Sequence, residues 1–317
     1  MSGDLALSLT VDAGSRGAGA AVRQTGAVSA LRRIERRNAE FQQWESLLRN
    51  RTKRHRAGAF VVQGVRPLTL AVEADWPMRT LIRPIGTRPS AWAAQVWERA
   101  GARGVERVEM APGMLAELGD RAGDATGDDT GDADETGAAP ELVAILQMPA
   151  DDLSRLEGDR PALVTVFDRP TQPGNIGNLQ RSIDAFGGTG LVVTGHAADP
   201  YDPKAVRAST GSCFNVPTVR CPSPADVLSW VDSQRAQGIP LALWGTDEGG
   251  ETGLDAVPLD APIVLVIGNE TRGMAAAWRQ ACDGIISIPM TGTASSLNAA
   301  VAGSIVLHAA LTRRLTR

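Results

Sequence analysis

The C-terminal half of the chain carries a succession of strand-length segments that are apolar at nearly every position: ALVTVFD, GLVVTG, PLALWGT, PIVLVIGNE and GIISIPM. A strand such as IVLVI has no polar face to offer water, so it belongs in a parallel sheet covered by helices on both sides. Segments of helical length and pattern lie between these strands, at 178–186, 204–211, 224–237 and 271–281, and a last one runs from about 296 to 315. The alternation predicts an α/β unit over 161–317.

In open parallel sheets, ligands bind beyond the carboxyl ends of the strands. Three polar clusters stand there. The first, RPTQPGNIGNLQRSIDAFG, follows VTVFD. Gly174 and Gly177 are expected to turn the backbone tightly and let it approach a ligand. Asn175 offers a donor and an acceptor, and Arg181 is a permanent cation one helical turn beyond Gly177. The second cluster, GNETRGM, follows IVLVI and sets Glu270 between Gly268 and Gly273. The third, ISIPMTGTASSLNAAVAGS, is a loop of small residues from 291 to 296 that opens the last helix. Each has a plain structural explanation. The first is a Gly-rich turn with a surface arginine, and in the second Glu270 caps a helix N-terminus. In the third, Ser295 or Ser296 is the N-cap and Asn298 a first-turn residue.

Taken together and in this order, the clusters resemble the three motifs of the SpoU/TrmH branch of the SPOUT methyltransferases. N-x-G-x-x-x-R is matched by Asn175, Gly177 and Arg181, and G-N-E-x-x-G by residues 268–273. I-x-M-x-G-x-x-x-S-L-N is matched by Ile288, Met290, Gly292, Ser296, Leu297 and Asn298. The segment YDPKAVRASTGSCFNVP resembles the stretch that separates the first two motifs in that family. The resemblance implies a SPOUT domain with a deep trefoil knot, which periodicity alone would never predict. It also implies S-adenosyl-L-methionine as cofactor, held by Gly245, Thr246, Gly268, Ile288, Met290 and Leu297, and a homodimer formed through the C-terminal domain. The implied reaction is methylation of a ribose 2′-hydroxyl, which makes the substrate RNA and not DNA. Arg181 would be the cation that lowers the hydroxyl pKa. Asn175, Glu270, Ser296 and Asn298 would orient the ribose, the cofactor or Arg181.

Strand and helix also alternate upstream, through AFVVQGVRPLTLAVEA, MRTLIRPI, a helix at 90–100, RGVERVEM, APGMLAEL and PELVAILQMP. A smaller α/β domain is predicted over 29–156, joined to the second through a polar stretch at 151–160. The Gly- and Ala-rich residues 1–28 read as a disordered tail. A helix is predicted to start at Ser29 as N-cap, with Leu31, Ile34, Phe41, Trp44, Leu47 and Leu48 as its apolar positions. NRTKRHRAGAFVVQGVRPLTLAVE resembles the L30e-like substrate-binding domain that precedes many SpoU-type catalytic domains.

Two charge runs interrupt this domain. Residues 119–139 hold seven acids against Arg121 alone, a net −6, which leaves +2 for the rest of a chain whose formal charge is −4. This acidic segment reads as a solvated, disordered insertion. Residues 32–56 hold nine Arg or Lys against three Glu, and their last part, RNRTKRHR, has no acid. Pairs such as Glu45–Arg49 could solvate the first part as a helix face. Arg49, Arg51, Lys53, Arg54 and Arg56 read as phosphate contacts to RNA, and His55 as a member of the same patch.

Composition narrows the rest. A 43% apolar share with only 4% aromatics predicts aliphatic cores. Cys213, Cys221 and Cys282 lack Cys-x-x-Cys spacing and read as reduced thiols of a cytoplasmic protein. His55, His196 and His308 have no metal-ligand spacing, so no metal is expected. No run approaches the roughly 18 apolar residues of a membrane span, and no membrane partner is expected. The two-domain form favours ribosomal RNA, 23S rRNA foremost, over tRNA as substrate. A non-catalytic RNA-binding protein retaining the fold is the alternative from another class, and the intact Arg181, Glu270, Ser296 and Asn298 weigh against it.

Overall fold

The computed structural model describes residues 31–119, 140–158 and 161–316. The expected tail, the Ser29 cap and all of the acidic insertion but Gly119 lie outside the described residues.

The first unit contains β1 (Arg32–Ile34), α1 (Ala39–Arg49), α2 (Arg51–Ala57), β2 (Ala59–Gln63), α3 (Val65–Glu73), β3 (Met78–Pro84), α4 (Ala91–Ala102), β4 (Glu106–Met110), α5 (Pro112–Leu118) and β5 (Val143–Gln147). Its sheet runs β1-β4-β3-β5-β2, with β5 antiparallel to both neighbours. Alternate residues face opposite sides. Phe60, Val62, Leu81 and Ala144 pack with α3 and α4, while Val61, Ile82, Val108 and Ile145 pack with α1 and α5.

The expected helix from Ser29 is corrected here. Residues 32–34 form an edge strand parallel to β4, and the helix begins at Ala39. Ile34 is buried with Val108 and Met110, and Arg33 bonds Glu109 across the strands at 2.8 Å. Asn38 caps the helix instead, its side-chain oxygen accepting from the Phe41 amide at 2.9 Å. A second asparagine, Asn50, ends α1 and caps α2 by accepting from the Lys53 amide at 3.0 Å. The basic run is thereby divided among a strand and two helices. Glu45 pairs with Arg37 at 3.4 Å, not with Arg49.

The second unit contains β6 (Leu163–Asp168), α6 (Pro173–Ala185), β7 (Gly190–Thr194), α7 (Pro203–Ala208), β8 (Thr218–Cys221), α8 (Pro224–Ala236), β9 (Ala242–Thr246), β10 (Thr252–Gly253), β11 (Ile263–Ile267), α9 (Ala276–Ala281), β12 (Gly284–Ser287) and α10 (Ala299–Leu315). The sheet order is β10-β12-β9-β11-β6-β7-β8, and all its described pairings are parallel. The central strand β11 shows why its sequence is apolar throughout. Ile263, Leu265 and Ile267 pack with α6 and α10, while Val264 and Val266 pack with Trp278 of α9 and with α8. Each such buried side chain contributes about 1.5–3 kcal/mol.

Several predicted boundaries move, and the shifts matter for the site. Helix α6 starts at Pro173, so Asn175 and Gly177 are helical. Gly177 does not make a turn: a Cβ there would lie 2.2 Å from the Ala205 carbonyl oxygen, so glycine is what lets α6 and α7 touch. Helix α9 is confined to its last turns, since Asn269 and Gly273 bond each other's backbones at 3.0 and 3.1 Å and close a loop there. The last helix begins at Ala299 with Asn298 as its N-cap, in place of Ser295 or Ser296.

The two units share a core. Phe60 packs against Tyr201 with ring centroids 4.8 Å apart, and Trp76 meets Phe214 edge-on at 5.2 Å. Among the described residues no helix is long and apolar enough to cross a membrane.

Candidate active site

Beyond the carboxyl ends of β9, β11 and β12 lies an open cavity of about 400 Å³. Thr246, Gly268, Ile288, Met290 and Leu297 line it, as does Ser296. Gly245 does not. It sits one residue deeper in β9, where a Cβ would come within 2.6 Å of the Met274 thioether.

Residues 268–273 form the floor of the cavity. A Cβ on Gly268 would lie 2.6 Å from the Gly273 carbonyl carbon, and Gly273 adopts φ +63°. Only glycine fits this closure at either position without strain. Asn269 knits the loop. Its Oδ1 accepts from the Thr271 amide, the Thr271 hydroxyl and the Arg272 amide, each at 3.0 Å. Its Nδ2 donates to the Arg169 carbonyl at 2.6 Å.

Glu270 is thereby turned toward α6, and it does not cap a helix. It accepts from Asn175 Nδ2 at 3.0 Å, the Thr171 hydroxyl at 3.1 Å and the Thr171 amide at 3.2 Å. Partial burial pushes its carboxyl up, but these donors, Asn175 foremost, outweigh burial and hold it below the ordinary carboxylate range. The chain of bonds continues, since Asn175 Oδ1 accepts from Asn298 Nδ2 at 3.1 Å. Asn298 Oδ1 in turn accepts from the Ala300 and Val301 amides at 2.9 and 3.3 Å. Every amide orientation follows from the next, because the helix amides can only donate and the carboxylate can only accept.

The structure thus joins Glu270, Asn175 and Asn298, and sets Ser296 on the cavity beside them. Arg181 stands apart. Six residues past Asn175 it lies roughly 120° round the helix. It is Ser182, on the Asn175 side, that bonds Ser304 of α10 at 2.7 Å. Arg181 is exposed, lines no part of the cavity and makes no hydrogen bond or ion pair among the described residues. Thr171 and Asn269 are functional candidates that the motif reading passed over. Asn269 stood inside GNETRGM, but only contacts reveal that it shapes the loop.

The cavity suits a sulfonium nucleoside. Its volume falls within the ordinary range for small-molecule pockets, roughly 300–1,000 Å³. Glycine backbone and aliphatic side chains offer flat contact to a base, and the lining carries the charged residues Asp247, Glu248, Glu270, Arg272 and Arg279. Asp247 is itself paired with Arg279. Among the described residues no group of His, Cys, Asp or Glu is placed to hold a metal ion.

Of the basic arm, Arg49, Arg51, Lys53 and Arg56 are exposed. Arg51 bonds the Ala197 carbonyl at 2.5 Å, which seats α2 against the loop after β7, at the carboxyl edge of the second sheet. Arg54 is corrected: it is 1% exposed and bonds Asp199 at 2.7 Å and Asp202 at 3.0 Å, so it faces the second unit and not solvent. His55 also belongs to this joint. Burial, then the Arg220 guanidinium against its ring, pushes its pKa down. The cysteines are free, and burial pushes the Cys213 thiol up to about 12.

Comparison with known proteins agrees with this geometry. Residues 162–308 match the SpoU rRNA Methylase family, and residues 38–127 match the SpoU L30e-like domain. The chain is 49% identical over 287 residues to a 23S rRNA (uridine(2479)-2′-O)-methyltransferase of Streptomyces viridochromogenes, covering 90% of this chain and 94% of that protein. The crystal structure of the SpoU methyltransferase AviRb from the same organism, in complex with AdoMet, superposes with a TM-score of 0.77 at 47% identity. That match covers 88% of this chain and 100% of that one. An RNA 2′-O ribose methyltransferase structure at 29% identity gives a TM-score of 0.66, over 89% of this chain and 99% of that one.

Proposed function

Since the chain belongs to the SpoU rRNA methylase family, we propose that it methylates the ribose 2′-hydroxyl of a uridine in 23S ribosomal RNA, as named for its 49%-identical relative. The enzyme is an S-adenosylmethionine-dependent RNA 2′-O-methyltransferase. The observation that carries the reading is the bonded chain Glu270–Asn175–Asn298, which ties all three motifs together at the rim of one cavity.

S-adenosylmethionine supplies, when bound, a methyl group already activated for displacement. The protein supplies position and charge. Thr246, Gly268, Ile288, Met290 and Leu297 hold the cofactor with backbone and aliphatic contacts. Asn175, held between Glu270 and Asn298, keeps the motif-one helix at a set distance from the cofactor loop. Ser296 and Asn298 orient the ribose. Arg181 carries a permanent charge and so stabilises the negative charge that develops on the 2′-oxygen, whose proton is released to solvent as the methyl group is bonded.

Arg181 lies off the cavity of its own chain. We therefore read the enzyme as a homodimer through the C-terminal unit, in which Arg181 of one subunit serves the cavity of the other. The trefoil knot belongs to the same reading. It is supported by β12, which comes late in the chain yet lies between β10 and β9, and by the return of α10 onto α6. Arg49, Arg51, Lys53 and Arg56 are assigned to phosphates of the RNA; Arg49 ends α1, and α2 presents the other three beside the carboxyl edge of the sheet.

The test is methylation of 23S rRNA by purified protein with labelled S-adenosylmethionine, followed by mapping of 2′-O-methyl sites. One modified uridine, at the position equivalent to the relative's, is expected. Incorporation into tRNA alone, or none into either RNA, overturns the proposal.

A further inference from the structure

Arg169, directly after β6, has φ +53°. A left-handed arginine is a strained conformation, and such residues persist where surrounding contacts impose them, often at functional sites. The contacts here are specific. Arg169 Nη2 donates to the Gly273 carbonyl at 3.0 Å, at one end of the loop that floors the cavity. Its own carbonyl accepts from Asn269 Nδ2 at 2.6 Å, near the other end. Its Nε and Nη2 also bond Asp168 Oδ2, at 3.1 and 2.9 Å.

Asp168 is 1% exposed and extends the grip. Its Oδ2 accepts from the Ala275 amide at 2.8 Å, just past the loop, and its Oδ1 from the Thr194 hydroxyl at 3.1 Å. The side chain of Arg169 lies over Gly195, where a Cβ would come within 2.5 Å of it. Neither Asp168 nor Arg169 lines the cavity. Both hold the loop that does, and the left-handed turn lets one residue address it with carbonyl and guanidinium at once.

We propose that Arg169 is a positioning residue for the cofactor, clamping residues 268–273 from beneath at Asn269 and Gly273, with Asp168 as its buried counter-ion. This rests on S-adenosylmethionine occupying the cavity, which calorimetry on the wild-type protein checks first and separately.

The test is Arg169→Gly beside Arg169→Lys. Glycine adopts φ +53° without strain, so the turn and its carbonyl survive while the guanidinium and its stem are lost. Lysine keeps the charge and the carbonyl contact but cannot bridge Asp168 and Gly273 with a planar fork. Calorimetry should show S-adenosylmethionine affinity falling at least tenfold in Arg169→Gly and by less in Arg169→Lys. RNA affinity, read by fluorescence anisotropy, should stay within twofold in both. Should Arg169→Gly fail to unfold cooperatively, Arg169→Lys alone decides, with a threefold loss of cofactor affinity as its threshold. Cofactor affinity within twofold of wild type in a folded Arg169→Gly, or equal losses of cofactor and RNA affinity, overturns the proposal.

Discussion

Replacing Arg54 with alanine should loosen the joint between the two units. Arg54 is 1% exposed and spans the joint, with Nε 2.7 Å from Asp199, Nη2 3.0 Å from Asp202 and Nη1 2.8 Å from the Leu47 carbonyl. Asp199 is itself only 3% exposed, so the variant strands a carboxylate away from water. Removing one partner of a buried pair costs about 3–5 kcal/mol, because the remaining charge is uncompensated. Denaturant unfolding should show a loss of that size. The double variant Arg54→Met, Asp199→Leu should recover part of it, since the buried carboxylate is gone and Asp202, which also loses its partner, is 27% exposed to water. A phosphate contact would behave differently. Losing one lowers the slope of log K for RNA against log salt by roughly 0.7–0.9. That slope should hold in Arg54→Ala, with affinity compared under conditions where the variant is folded, and should fall in Lys53→Ala. A stability loss under about 1 kcal/mol, together with a reduced salt slope, would refute the assignment.

Arg181→Ala should reduce methyl transfer by about a hundredfold or more, the scale of one lost oxyanion stabiliser. Its S-adenosylmethionine affinity should stay within twofold of wild type by calorimetry, and undiminished turnover removes Arg181 from the mechanism. Gly177→Ala should cost about 1–3 kcal/mol in denaturant unfolding, because its new Cβ meets backbone, the Ala205 oxygen at 2.2 Å and the Ser209 nitrogen at 2.7 Å. Glu270 is held below its ordinary value of 4.5 in the folded state. Its contribution to stability is therefore fully present above that value and lost as pH falls through the lower folded value. Glu270→Gln should flatten the acid limb of a stability–pH curve in that window, and an unchanged limb refutes the depressed pKa.

Much of the second unit was legible because its strands are apolar on both faces. Ile263–Ile267 could go nowhere but the centre of a covered parallel sheet, and there it lies. The start of the first unit was misread for a reason that also sits in its residues. Leu31 and Ile34 have helical spacing, but Arg32 and Arg33 find Glu106 and Glu109 on β4, and tertiary ion pairs with burial of Ile34 outweigh local periodicity. Arg54 escaped detection because charge pattern cannot say which cation of a run points inward. Asp199 and Asp202, the residues that decide it, lie about 145 positions away.

The site was legible in a different way. Position in the chain puts Gly245 beside the cofactor residue Thr246, but only the fold shows that Met274 packs directly over it. The three motifs are another matter, for the structure gives their joint occurrence a physical reason. Asn298 is a helix cap that any helix could have, and Asn175 an amide that any first turn could carry. Once Asn298 spends its oxygen on the Ala300 and Val301 amides, its nitrogen must donate outward. Asn175 is then obliged to receive with its oxygen and give with its nitrogen, and only an acceptor such as an ionised carboxylate completes the series. The helix amides and Glu270 set the direction of the whole chain, so replacing any one of the three residues removes the partner that orients the next. Three turns that are unremarkable singly become specific together because they share one line of hydrogen bonds.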